Sequence, residues 1–257
     1  MLATERQKTI LEMLEKNKTV EVTELSECLS VSEMTIRRDL DKLEQAGLLT
    51  RTFGGATVTS NPVALQLSFV EKVGVFEREK QAIAKAAASL IHDGDTVGLV
   101  AGTTCFQIAK NFPARENVTV VTNAINIAME FANRGGIKLI VTSGYMLERS
   151  FALVGPFAEC ILEQIHINKL FLGATGVSLD RGVTTQDLLE ASMYKAMIRS
   201  AEQVVVVADH TKMGVVSLAP ILPISKVNKL ITDSEIDPLM LQKLEETGCE
   251  ICVADID

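Results

Sequence analysis

This 257-residue sequence has no long apolar run, no basic excess, little histidine and no paired cysteine framework. No stretch of 18 or more uninterrupted apolar residues occurs, so no helix is expected to span a membrane. The opening, MLATERQKTILEMLEKNK, carries charge at helical spacing and lacks the apolar centre of a signal peptide, so a cytoplasmic protein is expected. The five cysteines, Cys28, Cys105, Cys160, Cys249 and Cys252, are odd in number and scattered, which excludes a disulfide framework. Cys249 and Cys252 form a lone CxxC. A zinc site needs a second ligand pair, and His92, His166 and His210 do not supply that spacing, so the thiols read as reduced and no metal or cofactor is expected. The net charge of −8 excludes a surface coated in cations for nucleic acid, but not a small local patch.

What is present is ample apolar material. With 47% hydrophobic residues the chain can bury one large domain, or a large one plus a small one. The first block, Thr4 to Lys18, reads as a helix with Ile10, Leu11, Met13 and Leu14 on one stripe and Gln7, Glu12, Glu15 and Lys16 facing out. After a short TVEV, Thr23 is placed to cap a second helix, in which Leu25 and Leu29 lie four apart. Ser32 is placed to cap a third, where Ile36, Leu40 and Leu43 make one buried face and Gly47 gives the stop. Two strand-like runs around Gly54-Gly55 read as a hairpin, or wing. Three helices and a wing make a small winged helix-turn-helix.

If Ile36, Leu40 and Leu43 face the core, Arg37 and Arg38 flank that stripe, since successive helical residues are about 100° apart. Recognition helices read DNA with their first turns, so Ser32, Thr35, Arg37 and Arg38 are candidate phosphate contacts and Glu33 and Met34 candidate base contacts. The bland alternative is an Arg37–Asp41 pair at i,i+4 and no DNA. Residues 1–58 hold eight Lys/Arg against ten Asp/Glu, so non-specific affinity for DNA is expected to be modest.

The string VS-x-x-TIRRDL-x-x-LE-x-x-G-x-L-x-R-x-x-GGA closely resembles the N-terminal domain of DeoR-family bacterial transcriptional regulators. That resemblance implies DNA binding by this segment. It puts Thr35, Arg37 and Arg38 on the recognition helix and Arg51 in the wing.

Residues 59–75, with Asn61-Pro62, read as a linker without helical period. From Phe76 the text alternates between Val/Ile/Leu-rich strands and helices, which argues for a doubly wound, mostly parallel α/β domain over 76–257. In that reading ATGVSLDRG and DHTKMG are loops and PFAECILEQI is one helix. Ligands bind such sheets outside the carboxyl ends of the strands. The loops expected there carry Gly102-Thr103-Thr104, Thr122-Asn123, Ser143-Gly144, Gly173 to Gly176, Thr184-Thr185 and Asp209 to Lys212. Converging hydroxyls, amide, lysine and acid suit a phosphorylated polyol or sugar. Any one of these loops, taken alone, could equally be a tight turn or helix cap.

The DeoR resemblance continues through "EKQAIAKAAASLIHDGDTV", "VTVVTNAINIA", "FLGATGVSLDRGVTTQDLLEASMYKAMI" and "VVVVADHTKMG", and so covers nearly the whole chain. It implies an effector domain similar to ribose-5-phosphate isomerase and CoA-transferase folds that senses sugar phosphates or related metabolites. By it, Gly102, Thr103 and Thr104 contact the phosphate, with Asp209, Lys212, Glu190 and Lys195 also at the site. The chain departs from the family pattern at Val100, Ser143 and Cys105. The expectation is a sequence-specific regulator, a repressor of a carbohydrate-utilisation operon, working as a homodimer or homotetramer on double-stranded DNA. The rival is a sugar-phosphate isomerase with a DNA-binding head, whose acids would be Glu190 and Asp209; nothing in the sequence marks an activated nucleophile.

Overall fold

The computed structural model describes residues 3–45, 49–57, 68–132 and 134–256. The expected helical stop at Gly47 and the Asn61-Pro62 break lie outside the described residues. By internal contacts the chain divides into two units, 1–75 and 76–257.

The first unit runs α1 (Ala3–Asn17), β1 (Thr19–Glu21), α2 (Val22–Leu29), α3 (Glu33–Gln45), β2 (Thr50–Arg51), β3 (Gly55–Thr57) and α4 (Phe69–Lys72). Ile10, Leu14, Leu25, Ile36, Leu40 and Leu43 form its core, as their helical spacing predicts. Gln7 is not turned outward as that spacing suggested. Its Nε2 donates to Asp39 at 3.0 Å, beside an Arg6–Asp39 ion pair at 2.5 Å, and this buried cluster ties α1 to α3. Thr23 is not the cap of α2 either. The helix starts at Val22, with Glu21 as its uncapped boundary residue, because Val22 is needed in the core. Ser30 ends α2 in a left-handed conformation, and Ser26 Oγ donates to the Val31 carbonyl at 2.7 Å, which fixes the tight turn into α3. The wing is a three-stranded antiparallel sheet, order β1-β3-β2. A Cβ on Gly55 would overlap the Val20 carbonyl, so β3 can lie this close to β1 only with glycine there. Residues 68–75, expected as linker, include α4, closed by a reciprocal Ser68–Glu71 capping box.

The second unit opens with α5 (Glu77–Ala88), β4 (Thr96–Leu99), α6 (Thr103–Lys110), β5 (Val118–Thr122), α7 (Ile125–Phe131) and β6 (Ile137–Val141). It continues through β7 (Tyr145–Leu147), β8 (Ala152–Val154), α8 (Pro156–Cys160), β9 (Ile167–Gly173), β10 (Gly176–Ser178), β11 (Gly182–Thr185) and α9 (Leu188–Arg199). It ends with β12 (Ala201–Val207), β13 (Ala219–Leu222), β14 (Lys229–Asp233), α10 (Pro238–Glu245) and β15 (Glu250–Ala254). The main sheet is seven-stranded and all parallel, order β15-β14-β12-β9-β4-β5-β6. Its strands are apolar on both faces because helices cover both.

Three readings of this half change. ATGVSLDRG is no loop: it contains β10 and the hairpin turn into β11, and β11 pairs in turn with β13 in a small antiparallel sheet. β7 and β8 form a further hairpin that the sequence did not suggest. PFAECILEQI is one α-helical turn followed by a 3-10 turn, Ile161–Gln164. These pieces are only three to five residues long, and β11 also pairs with the distant β13, so local pattern carries little trace of them.

Candidate functional sites

The first site is the start of α3. Thr35 N–H donates to Ser32 Oγ at 3.3 Å, and the two hydroxyls lie 2.9 Å apart, so Ser32 does cap the helix. With Ile36 and Leu40 fully buried, Glu33, Met34 and Arg38 are thrown outward, and Met34 is 59% exposed. Arg38 has no partner among the described residues. Arg37 reaches back to Glu33 at 3.3 Å, not forward to Asp41. Both groups of that pair are more than a third exposed, so it is weak and easily exchanged for a phosphate. Asp41 instead lies 3.7 Å from Arg51 Nε. Asp39, the acid beside the arginine pair, is turned into the core. The local face is therefore more cationic than the residue count suggested.

Arg51 is less available than its place in the wing implied. Its side chain is mostly covered, its backbone N–H donates to Glu44 at 2.7 Å, and its buried Nη1 has no hydrogen-bond partner among the described residues. The exposed large apolar group on the wing, among the described residues, is Phe53, whose ring stands wholly in solvent. The sequence reading passed it over; a lone aromatic next to Gly54-Gly55 in a hairpin turn was the available signal.

The second site is the rim of the main sheet. From β4 the chain moves outward to β5 and β6, then returns to build β9, β12 and β14 on the other side, so the order reverses between β4 and β9. A crevice forms at such a switch point outside the carboxyl ends. The loops after β4, β9 and β12 are adjacent there. Strands spaced about 4.8 Å apart put the ends of β4 and β12 about 10 Å from each other.

Gly102 begins α6 at φ 143, ψ 157, a region essentially restricted to glycine. The first bond of the helix runs from Phe106 N–H to the Gly102 carbonyl, leaving the N–H groups of Thr103, Thr104 and Cys105 without intrahelical acceptors. The loop before them is clamped. Asn123 Oδ1 accepts from Ala101 N–H at 3.0 Å, and Tyr194 donates to the Ala101 carbonyl at 3.1 Å. Burial, followed by Glu190, drives the Tyr194 pKa up, so it stays a donor. Burial likewise pushes the Cys105 thiol up to about 12, which makes it inert packing.

The structure separates the remaining candidates. Thr122 and Asn123 are fully buried. Thr122 Oγ1 donates to the Leu99 carbonyl at 2.7 Å and accepts from Ala124 N–H, and Asn123 Nδ2 donates to the Leu153 carbonyl. They hold the rim from beneath and do not line it. Glu190 accepts from Thr185 Oγ1 at 3.0 Å. Lys195 is exposed and stands about 140° around α9 from Glu190, on a different face. Thr184 joins the Gly176 carbonyl and Ser217 N–H, and Ser143 donates to the Phe157 carbonyl.

After β12, Asp209 caps a 3-10 turn by accepting from Thr211 N–H, with a very short bond from the Thr211 hydroxyl as well. Lys212 Nζ lies 2.9 Å from Thr211 Oγ1 and 3.7 Å from Asp209 Oδ1. Burial opposes ionisation of Asp209, but Lys212, Lys80, the Thr211 hydroxyl and His210 outweigh it and hold the carboxyl below the ordinary 3.8. Lys212 keeps a third of its side chain in solvent, and so offers a positioned cation at the rim.

A helix-turn-helix with an exposed arginine and an anion-friendly sheet rim thus share one chain. The profile of the DeoR-like helix-turn-helix domain matches residues 6–61, and that of the DeoR C terminal sensor domain matches 76–234. The chain belongs to the DeoR family. It is a transcriptional regulator and not an enzyme, so the isomerase alternative falls. An uncharacterized HTH-type transcriptional regulator of Bacillus subtilis, YulB, is 39% identical over 98% of this chain and 96% of its own. A putative aga operon transcriptional repressor of Escherichia coli O157:H7 is 34% identical over 96% and 92%. Among solved structures, ribose 5-phosphate isomerase A from Methanocaldococcus jannaschii is 18% identical with a TM-score of 0.39, over 54% of this chain and 55% of that one. No helix among the described residues is long and apolar enough to cross a membrane.

Proposed function

We propose that this DeoR-family regulator represses a carbohydrate-utilisation operon in the cytoplasm, and that a phosphorylated sugar or related metabolite releases it from operator DNA. The observation that carries this is the rim at the β4/β9 switch point. A glycine-started helix offers free N–H groups on one side of it, and Lys212 stands two strands away. Helix N–H groups favour phosphate oxygens, and about 10 Å is a span that a sugar phosphate can bridge. Gly102, Thr103 and Thr104 take the phosphate in this reading. Lys212, oriented by Asp209, takes the far end, and Glu190, held by Thr185, faces the ligand from α9. The relative named as an operon repressor supports the sign of regulation.

On the DNA side, Arg37, Arg38, Ser32 and Thr35 meet phosphates while Glu33 and Met34 reach base edges. Arg51 braces the wing against α3. The protein acts as a homodimer or homotetramer, since one recognition helix per chain reads only one half-site. Release requires the effector to bind the DNA-incompetent state more tightly than the competent one.

Selection of bound DNA from a random pool, with wild type and Arg38→Ala in parallel, tests the first half. Titration of the enriched DNA with sugar phosphates tests the second. A motif enriched by wild type alone and displaced by one compound is the expected result. An effector that tightens binding refutes repression by release and leaves DNA recognition standing.

A further inference from the structure

The first turn of α5 lies against the loop that carries Lys212. Phe76, the boundary residue of α5, has a left-handed backbone at φ 51, which few residues other than glycine adopt without something holding them. What it meets is His210. The two rings pack edge to face, with centroids 5.6 Å apart and planes at 79°. His210 is fixed from the opposite side by the fully buried Asp233. Nδ1 lies 2.8 Å from Asp233 Oδ1, and the His210 backbone N–H donates to Oδ2, also at 2.8 Å. Glu235 sits 3.6 Å from Nε2. One turn further along α5, Lys80 is buried, and its charge acts on Asp209 together with that of Lys212.

Asp209 is therefore shared between a cation on the rim and a cation on α5. An anion that draws Lys212 away leaves Asp209 to Lys80 and Thr211. Any change in the 209–212 loop that reaches His210 would be felt at Phe76, whose ring packs on it. Phe76 is also the residue at which the chain enters the second unit; its peptide bond to Val75 is the join between the two. Phe76 and Asp233 lie outside the loops expected to meet an effector; His210 lies in the Asp209–Lys212 loop, with its ring turned to Phe76 and Asp233.

We propose that Phe76, seated on His210, is a positioning residue that passes the state of the 209–212 loop to the DNA-binding unit. This rests on the effector reading above. A ligand shifts an equilibrium only through contacts that differ between its states, and this contact joins the ligand loop to the backbone leading into the other unit.

The test uses the full chain and its selected DNA, with ribose 5-phosphate, fructose 1-phosphate, glucose 6-phosphate and inorganic phosphate as probes. For a probe that raises the wild-type melting temperature, its dissociation constant and the fold-loss of DNA affinity it causes are measured separately. Wild type should show a loss of at least about fivefold. In Phe76→Leu and in His210→Asn, probe binding and probe-free DNA binding should stay within about twofold, while the probe-induced loss falls toward one. Phe76→Tyr, which keeps the ring, should restore it. A wild-type response in both Phe76→Leu and His210→Asn overturns the inference and leaves the effector reading intact. Loss of probe binding in those variants also overturns it, because the contact would then build the site and not report on it. If no probe binds wild type, the effector reading fails and this inference fails with it.

Discussion

At the scale of single residues, the two cations proposed to meet DNA and effector differ in how they are held. Arg38 is unpartnered among the described residues and reaches solvent from a rigid helix start, so its charge is available without breaking anything. Arg38→Ala should weaken operator binding at least about tenfold and lower the slope of log affinity against log salt by about one per arginine removed, as filter binding over a salt series would measure. Lys212, by contrast, is parked against Thr211 and Asp209. Asp209 has a folded-state pKa below its unfolded one, so its ionised form stabilises the fold above the ordinary carboxylate range. That stabilisation is lost as pH falls through the depressed folded value. Asp209→Asn should therefore melt below wild type at pH 7, with the gap narrowing below about pH 4, in thermal melts across pH.

At the scale of elements, two helix starts do the work and are made differently. α3 uses a side-chain cap from Ser32, and its orientation is locked by Asp39 against Arg6 and Gln7 of α1. α6 has no side-chain cap, and Gly102 leaves its N–H groups open. Space is not what requires glycine there, since a Cβ would meet nothing within 4 Å; the backbone angle is. Gly102→Ala should cost about 1–3 kcal/mol of stability through that strain. It should also remove the response to effector while leaving operator affinity unchanged, which a melt and a DNA titration would show together.

At the scale of the whole molecule, the proposed DNA contact of this acidic protein rests on a few acids being buried or paired and not on an excess of bases. Asp39 is buried, Asp41 is beside Arg51, and Glu44 accepts from the Arg51 backbone. The remaining cationic face is small, and the proposed dimer or tetramer would multiply its contacts. A footprint should show two half-sites about 10–10.5 base pairs apart centre to centre, or a multiple of that. A single isolated half-site protected at the same concentration would refute the paired mode.

Periodicity in the sequence sufficed for the helix-turn-helix core, because Ile36, Leu40 and Leu43 repeat within one helix and need no distant partner. The run of apolar strands likewise announced a parallel sheet, and the TIRRDL string carried the family. What the sequence could not show is which polar residues are consumed internally. Thr122 and Asn123 look like rim ligands in one dimension, and only the approach of Leu99, Ala101 and Leu153 turns them into braces. Arg51 looks free until Asp41 and Glu44 close on it. The small sheet of β10, β11 and β13 and the Phe76–His210 contact join segments far apart in the chain. Hydrogen-bond satisfaction and long-range pairing depend on where backbone groups meet in space, so the tertiary structure alone decided them.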